Sequence, residues 1–397
     1  MHRLQSKLDT KVEYLGGHAQ GDIVTSNPHK RNLTFSWLEA ILILMVVDCH
    51  AGSAVGLLRG FFPYDSFFMP AFVFISGYFF RCSQLSAFVK KKIKRQLIPY
   101  LAWCCVGLLT SAVLDASLGF HWLTDLPSGT VVRKVAMVLT IGPPTSANGA
   151  SWFLIMLFWV EITYAIIQQY ILRGGKPLNY VALIVSFVIA VVSVRLCILG
   201  YWHNLKTRFL LRELFFLFFF HTGHMFRIYW VSALRKLPRF RVCVACLAAN
   251  TVMIGFFGGR VSFIRTQVMD GFSVSFLPFL TSLTGIAFWY EIAEYLAELI
   301  GEKRGVSCLA ANTGTVMQAH LFGESLPFII AYGLHSIGLV GVQADDLAKI
   351  ARNAWNHPSS VMQPIATFAF GLLFSFVAIV VLDKCKSWLE RVERVSW

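Results

Sequence analysis

Charged residues are scarce in this sequence. Asp, Glu, Lys and Arg make up 14% of the 397 residues, whereas 56% are hydrophobic; the charged share of an average soluble chain is about 25%. Mean hydropathy is +0.62. A chain with so few groups to hold its surface in water is not a string of soluble domains. The composition predicts one polytopic membrane domain instead.

Acidic residues are fewer than basic residues. The chain has 21 Asp and Glu against 35 Lys and Arg, which gives a net charge of +14. In a soluble protein this excess would point to nucleic acid. Here the basic residues lie in the gaps between apolar runs, where they orient membrane spans and contact anionic lipid. We therefore predict membrane lipids as partners and no nucleic acid.

Several other signals are lacking. Residues 1–30 are polar and have no apolar core of a cleavable signal peptide, so residues 1–32 are expected to be a poorly ordered cytoplasmic leader. There is no internal repeat and no glycine-rich phosphate loop after a strand. The apolar runs are continuous, unlike the alternating segments of about ten residues that build an outer-membrane barrel. The spans are therefore predicted to be helices.

The spacing of Cys and His residues also gives little indication of a metal site. Cys243 and Cys246 form a lone CxxC at the entrance of an apolar run, and His221 and His224 lie three residues apart. A zinc site needs three or four ligands, and neither pair has a third ligand in register. We predict no metal site.

Ten apolar runs of about 20 residues, each long enough to cross a bilayer, predict an all-α bundle of about ten transmembrane helices. The predicted spans are residues 33–57, 61–80, 97–115, 151–172, 178–199, 208–228, 242–258, 272–298, 316–340 and 361–382. They make up a transmembrane domain over residues 33–383, followed by a basic cytoplasmic tail over 384–397.

The distribution of Lys and Arg orients this bundle. With the amino terminus in the cytoplasm, 24 of these residues fall in cytoplasmic segments and 9 in outer loops. Positive charge is enriched on the cytoplasmic side of membrane proteins. Both termini are therefore predicted to be cytoplasmic, with the end of the first span at the outer face.

Ionisable residues inside the spans are the best indicators of function, because each costs about 2.5–3.5 kcal/mol near the bilayer centre. The first span holds Glu39, Asp48 and His50. Glu39 and His50 are separated by about three turns, so they lie on nearly the same face about 16 Å apart, whereas Asp48 points elsewhere. His50 is either a general base at a cavity open to the outer side or an interfacial histidine held by a loop carbonyl.

Two further stretches have alternative interpretations. The basic run from Lys90 to Arg95 lies just before Pro99; it either orients the chain on anionic lipid or binds a phosphorylated cytoplasmic ligand at a helix start. Ser76, Gly77 and Tyr78 form a small-residue step within an aromatic span. Close helix packing is the simplest interpretation of that step.

Five stretches occur in a characteristic order: WLEAILILMVVDCH at 37–50, MPAFVFISGYFF at 69–80, KIKRQLIPY at 92–100, SWFLIMLF at 151–158 and ANTGTVMQAHLF at 311–322. Together they resemble the membrane acyltransferase-3 family, which O-acylates surface polysaccharides, lipopolysaccharide and peptidoglycan. The similarity extends from about Ser36 to Leu382. It implies an O-acyltransferase, most simply an O-acetyltransferase, in the bacterial inner membrane.

The resemblance implies roles for particular residues. His50 matches the family's essential histidine, with Glu39 and Asp48 on the same helix. Lys92 and Arg95 match a basic pair that receives the phosphates of acyl-CoA. The remaining matches are supporting or acceptor-side residues, namely Ser76, Tyr78, Trp152, Asn312 and His320.

The same resemblance implies the substrates, and the sequence differs from the family's pattern at two positions. Acyl-CoA, most simply acetyl-CoA, is the implied donor, a polysaccharide or glycolipid is the acceptor, and no permanently bound cofactor is needed. Glu39 occupies a position at which the family has Arg or Lys, and Phe68 precedes Met69–Pro70 where many relatives have His. A transporter or flippase of a polysaccharide precursor, and a catalytically inactive relative, are the alternative functions.

Overall fold

A computed structural model describes residues 32–118, 130–172, 176–257, 276–339 and 364–395. The chain divides into two units, Met1–Asn32 and Leu33–Trp397. Apart from Asn32, the predicted leader lies outside the described residues. All the elements given below belong to the second unit.

The described residues form helices and connecting turns, with no strand among them. The α-helices are α1 (Leu33–His50), α2 (Phe68–Tyr78), α3 (Leu85–Lys92), α4 (Ile98–Leu118), α5 (Val131–Thr140), α6 (Trp152–Tyr170), α7 (Lys176–Ile198), α8 (Leu205–Met225), α9 (Val231–Leu234), α10 (Arg239–Phe257), α11 (Leu277–Ile300), α12 (Arg304–Ala311), α13 (Thr313–Ser336) and α14 (Pro364–Val395). Single π-helical turns join α3 to α4 at Ile93–Leu97 and α8 to α9 at Phe226–Trp230.

Six helical segments among the described residues are long and apolar enough to cross a membrane: Leu33–His50, Leu85–Ser117, Ser146–Tyr170, Lys176–Ile198, Arg239–Phe257 and Pro364–Trp388. The prediction of an all-helical polytopic membrane protein is confirmed to this extent. Four of the predicted ten spans correspond to other kinds of helix. The predicted span 61–80 contains α2, whose 11 residues reach only about 16 Å.

The other three are α8, α11 and α13, which are 21, 24 and 24 residues long. Their length is sufficient for a bilayer, but they carry buried ionisable side chains that make them less apolar. Glu213 lies on α8, Glu291 and Glu294 on α11, and His320 and Glu324 on α13, all of them buried. These helices place their polar groups inside the bundle, as membrane proteins do when such groups have a function.

The helices divide into an inner and an outer set. α1 packs against α2, α11, α12, α13 and α14, and 61% of its residues are buried. By contrast, about a fifth of the residues in the apolar windows of α4, α7, α10 and α14 are buried. Their exposed side chains are mostly Val, Leu, Ile and Phe, which is the surface that lipid tails cover. The candidate site residues lie mainly on the inner set.

Two glycines set the distance between α2 and α8. A Cβ atom at Gly77 would collide with the carbonyl of Phe220, and a Cβ at Gly223 would collide with the carbonyl of Phe74. The two backbones therefore touch at reciprocal points, which only glycine permits. The interpretation of the Ser76–Gly77–Tyr78 step as a close-packing element is correct for Gly77.

Candidate active site

A cavity of about 560 Å³ opens at the end of the bundle that carries the basic run. Four basic side chains belong to its lining: Arg81, Lys91, Lys92 and Arg95. The deeper lining is largely apolar and comes from α2, α6 and α13, through Phe72, Ile75, Phe153, Leu157 and Met317. The cavity therefore offers a cationic mouth and an apolar interior, which suits an anionic group attached to an apolar chain.

The depth of this cavity follows from the helices that form its walls. On α6 its lining extends from Glu161 to Phe153, and near α2 it extends from Phe80 to Phe72. Eight residues of helix rise about 12 Å. On α13 the lining runs from Thr313 to Met317, so Met317 is the deepest residue that this helix contributes. An elongated ligand entering at the basic mouth reaches well into the bundle.

The two residues of the predicted basic pair have different surroundings. Lys92 Nζ lies 2.5 Å from Glu161 Oε1, and the carboxylate is almost fully buried. The second oxygen, Glu161 Oε2, is buried and has no hydrogen-bond partner within the described residues. Arg95 is exposed at the cavity mouth. Arg95 is therefore the better placed of the two to meet an incoming anion.

The π-helical turn Ile93–Leu97 fixes Arg95 at the mouth. π-Helical turns are rare and are frequently found at functional sites. Within this turn, Gln96 Nε2 donates a hydrogen bond to the carbonyl of Leu154 at 2.9 Å. The contact ties the turn to α6, which also lines the cavity. The arrangement holds the basic segment over the opening.

His50 lies at the last residue of α1 and is half-buried. Its ring centroid is 5.2 Å from that of His320 on α13, and His320 is completely buried. Neither histidine belongs to the cavity lining. However, His320 follows Met317 by three residues, a rise of about 4.5 Å. The pair of imidazoles therefore lies about one helical turn beyond the inner end of the cavity.

Asp48 shapes the loop that follows His50. Its two carboxylate oxygens accept hydrogen bonds from the backbone N–H groups of Val55 and Gly56, at 2.8 and 2.9 Å. The Tyr64 hydroxyl also forms a hydrogen bond with the Asp48 carboxylate. Asp48 therefore acts by fixing the loop beside His50.

Glu324 is a second buried acid near the histidine pair. It lies on α13 one turn beyond His320, is completely buried, and neither carboxylate oxygen has a hydrogen-bond partner within the described residues. Gly371 of α14 makes room for it: a methyl group there would lie 2.8 Å from Glu324 Cγ and 3.3 Å from Val47 Cγ1. The carboxyl group thus lies between α13, α14 and the end of α1.

The structure places the other predicted residues in two groups. Glu39 and Ser76 line the cavity together with Lys92 and Arg95. The other three are outside its lining and make packing or capping contacts. The ring centroid of Tyr78 is 4.1 Å from that of Phe35, the indole of Trp152 lies 4.6 Å from the Arg212 guanidinium, and Asn312 donates a hydrogen bond to the carbonyl of Cys308.

Sequence reasoning did not place Glu161 or Glu324 in the site. Both were recognisable as costly ionisable residues within apolar runs, but Glu161 pairs with a lysine 69 residues away, which no local pattern reveals. Glu324 has a usable signal, because it follows His320 by four residues and so shares its helix face. The apolar cavity residues Phe72, Phe153 and Met317 carry no signal that separates them from ordinary core.

Within the described residues, no group of three or more His, Cys, Asp or Glu side chains is arranged to hold a metal ion. A family model described as an acyltransferase domain, acyltransferase-3, matches residues 32–384. No curated protein and no solved structure matches the chain.

Proposed function

Because the chain belongs to the membrane acyltransferase-3 family, we propose that it transfers an acyl group from cytoplasmic acyl-CoA to a hydroxyl group at the outer face of the membrane. Acetyl is the proposed acyl group, and a polysaccharide or glycolipid of the cell surface is the proposed acceptor. The proposed location is the inner membrane, with about ten spans and both termini in the cytoplasm. The excess of Lys and Arg at one end of the bundle supports this orientation.

The basic mouth of the cavity is the proposed donor site. CoA carries several phosphate charges at one end and a thioester on a long flexible arm at the other. Arg95, Lys91 and Arg81 are exposed at the mouth and would bind the phosphates through charge-assisted hydrogen bonds. Lys92 would contribute less, because Glu161 already balances its charge. The apolar interior would receive the arm.

His50 is the proposed general base. The acceptor hydroxyl would approach from the outer side, where His50 is half-buried rather than sealed, and the imidazole would take its proton as the new ester bond forms. General-base assistance of this kind contributes roughly 100- to 10,000-fold to a rate. Asp48 would support the step indirectly, by holding the loop over residues 51–57 in place.

One observation carries the proposal. The cavity begins at a cationic surface on one side and ends about one turn short of a histidine pair whose first member lies at the opposite end of α1. A donor bound at the mouth and an acceptor arriving from the other side would meet there.

The direct test uses membranes that contain the protein, labelled acetyl-CoA and extracted surface polysaccharide. Labelled acetyl ester should form on the polysaccharide, and His50→Gln should reduce its formation at least about 100-fold while the protein remains inserted. Gly255→Ala serves as the matched control, because that position has open space around it. Formation of no ester by the wild-type protein, or wild-type rates in His50→Gln, would falsify the proposal.

A further inference from the structure

Two buried side chains on α13 carry polar atoms that have no hydrogen-bond partner within the described residues. His320 Nε2 and both carboxylate oxygens of Glu324 have no hydrogen-bond partner within the described residues, and both residues are fully buried. An unsatisfied buried polar group costs about 1–3 kcal/mol. A helix that keeps two of them one turn apart uses them for something other than stability.

The hydrogen bond of His320 fixes which nitrogen is free. Nδ1 lies 2.8 Å from the carbonyl oxygen of Val316. A carbonyl oxygen can only accept, so Nδ1 carries a hydrogen and donates it. In the neutral ring, Nε2 then holds a lone pair. The unpartnered nitrogen of His320 is therefore a proton acceptor.

Glu324 lies on the same face of α13 as His320, one turn further along, and no hydrogen bond joins the two side chains in this structure. Residues four apart lie on one helix face about 6 Å apart along the axis, and side chains on a helix lean back toward its amino terminus, which brings the Glu324 carboxyl group toward His320. No ion pair joins Glu324 to a cation within the described residues. A buried carboxyl group in such surroundings is most stable with its proton, and it then has one hydrogen to donate.

His320 also lies between the two substrates of the proposed reaction. On one side it follows Met317, the deepest residue of the cavity on this helix, by one turn. On the other side its ring centroid is 5.2 Å from that of His50. The imidazole that meets the acceptor is thus His50, and the imidazole nearest the donor is His320. Glu324 lies next to His320 on the same helix.

We propose, building on the proposed function, that His320 and Glu324 form the proton-donating half of the site and protonate the leaving thiolate of the donor. His50 takes the proton from the acceptor hydroxyl while the oxygen–carbon bond forms. The carbon–sulfur bond breaks, and its electron pair goes to sulfur. Glu324 gives its proton to the lone pair of His320 Nε2, and His320 Nε2 then passes that proton to sulfur, which leaves Glu324 as a carboxylate. The proton on His50 then passes across the ring pair and restores Glu324, so that one hydroxyl proton ends on one thiol.

A change of leaving group tests this assignment. In the seleno analogue of acetyl-CoA, selenium replaces the thioester sulfur, and the selenolate departs without protonation. With acetyl-CoA, His320→Gln and Glu324→Leu should each lower kcat about 100-fold and leave KM for the donor within about twofold. With the seleno analogue, both variants should recover to within about tenfold of wild type. His50→Gln should not recover, because the acceptor proton still lacks a base.

Two controls separate this role from a structural one. Glu324→Leu replaces an unsatisfied carboxyl group by an apolar side chain, so its unfolding temperature should equal or exceed that of wild type. Gln318→Leu removes another buried group with an unpartnered oxygen on the same helix, but on a different face, and should keep kcat within about twofold of wild type.

Several results would overturn the assignment. These are a kcat of Glu324→Leu above half the wild-type value with acetyl-CoA, no recovery of either variant with the seleno analogue, or a clear loss of thermal stability in Glu324→Leu. In each case ester formation by the wild-type protein would leave the proposed function standing. Absence of ester in the wild-type reaction itself would remove both proposals.

Discussion

Lys92 and Arg95 lie three residues apart on one basic run, but their different surroundings indicate different roles. Lys92 is paired with buried Glu161, so a large part of its effect is to hold α3 against α6 and to keep that carboxylate neutralised. Arg95 is exposed at the cavity mouth. At the scale of the residue, binding of phosphate and stability of the fold should therefore respond to different substitutions.

Arg95→Gln should raise KM for acyl-CoA about tenfold without changing the unfolding temperature, because one charge-assisted hydrogen bond is worth about 1.5–3 kcal/mol. Lys92→Met should instead lower stability, since it leaves Glu161 buried and unpaired. The double variant Lys92→Met with Glu161→Leu should recover that stability. Kinetics in detergent and thermal unfolding of the same preparations would check this. Equal effects of the two single variants on KM would contradict the division of roles.

Asp48 is a second residue whose role follows from its partners. Its carboxylate accepts two backbone hydrogen bonds from the loop after His50. Asp48→Ala should lower the unfolding free energy by about 2–4 kcal/mol, because two backbone donors lose a charged acceptor, and should reduce activity by misplacing His50. Asp48→Asn should lose less, since its amide oxygen can replace one contact. Thermal unfolding and ester formation in both variants are the measurements. Full activity in Asp48→Ala would show that the loop does not position His50.

The sequence was sufficient to predict where some candidate site residues lie, but not others. The positions of His50 and Arg95 near opposite ends of the bundle follow from span boundaries and the basic run, whereas Ser76 was named as a site residue only through the family resemblance. The sequence could not show that Lys92 meets Glu161, because long-range pairing depends on how the helices pack. Nor could it show that Tyr78 and Trp152 make packing contacts, since aromatic residues have the same pattern in a core and in a site.

At the scale of the element, the contact between α2 and α8 is the most demanding. Each helix presents a glycine to the backbone of the other, Gly77 to Phe220 and Gly223 to Phe74. α2 carries Ser76 and Phe72 of the cavity wall. Separation of the two helices would therefore move that wall as well as loosen the bundle.

Gly77→Ala and Gly223→Ala should each prevent stable accumulation of the protein in the membrane, because the new methyl group meets a carbonyl that cannot move without its helix. Gly255→Ala on α10 is the matched control. Nothing lies within 4 Å of that position, and Ala favours helix over Gly by about 0.8–1 kcal/mol, so accumulation should equal or exceed wild type. Quantification of the protein in membranes would check this. Normal accumulation of both α2 and α8 variants would show that the helices can separate without cost.

The hydrophobic pattern predicts the presence of helices better than it predicts where they begin and end. Apolar runs located α4, α7 and α10 well, because these helices face lipid and must be apolar over most of their surface. The run that predicted α14 ends at residue 382, whereas the helix continues to Val395. α1 ends at His50 rather than at residue 57, since Asp48 binds the backbone of the next loop. The run over 61–80 is only partly α-helical. Pro63 precedes a short 3-10 turn, Tyr64–Ser66, and α2 begins only at Phe68. Hydrophobicity alone does not distinguish a helix from a buried loop.

At the scale of the whole molecule, one asymmetry connects topology with function. The basic mouth of the cavity and the histidine pair lie at different depths, so the proposed reaction depends on which end faces the cytoplasm. Acyl-CoA, the proposed donor, is a cytoplasmic compound, so the proposal requires the mouth to open on that side. If the bundle were inserted the other way, Arg95 would face the outside and the donor site would be empty.

The orientation can be measured with reporters fused at exposed loops. Alkaline phosphatase is active only outside the cytoplasm, and a fluorescent protein folds best inside it. A fusion after Gly60, in the loop beyond His50, should give active phosphatase and little fluorescence. A fusion after Ser83, in the turn between α2 and α3, should give the opposite. Fusions after Leu118, at the end of α4, and after Lys303, just before α12, extend the test to the outer and cytoplasmic sides of later helices.

These pairs are informative because α2 is short. Its 11 residues reach about 16 Å, and the flanking turns must complete the crossing if residues 60 and 83 are to lie on opposite sides. Phosphatase activity at both Gly60 and Ser83 would mean that α2 enters the membrane and returns. The basic run would then lie outside, away from any cytoplasmic donor, and a donor site at Arg95 would be untenable whatever the chemistry of His50.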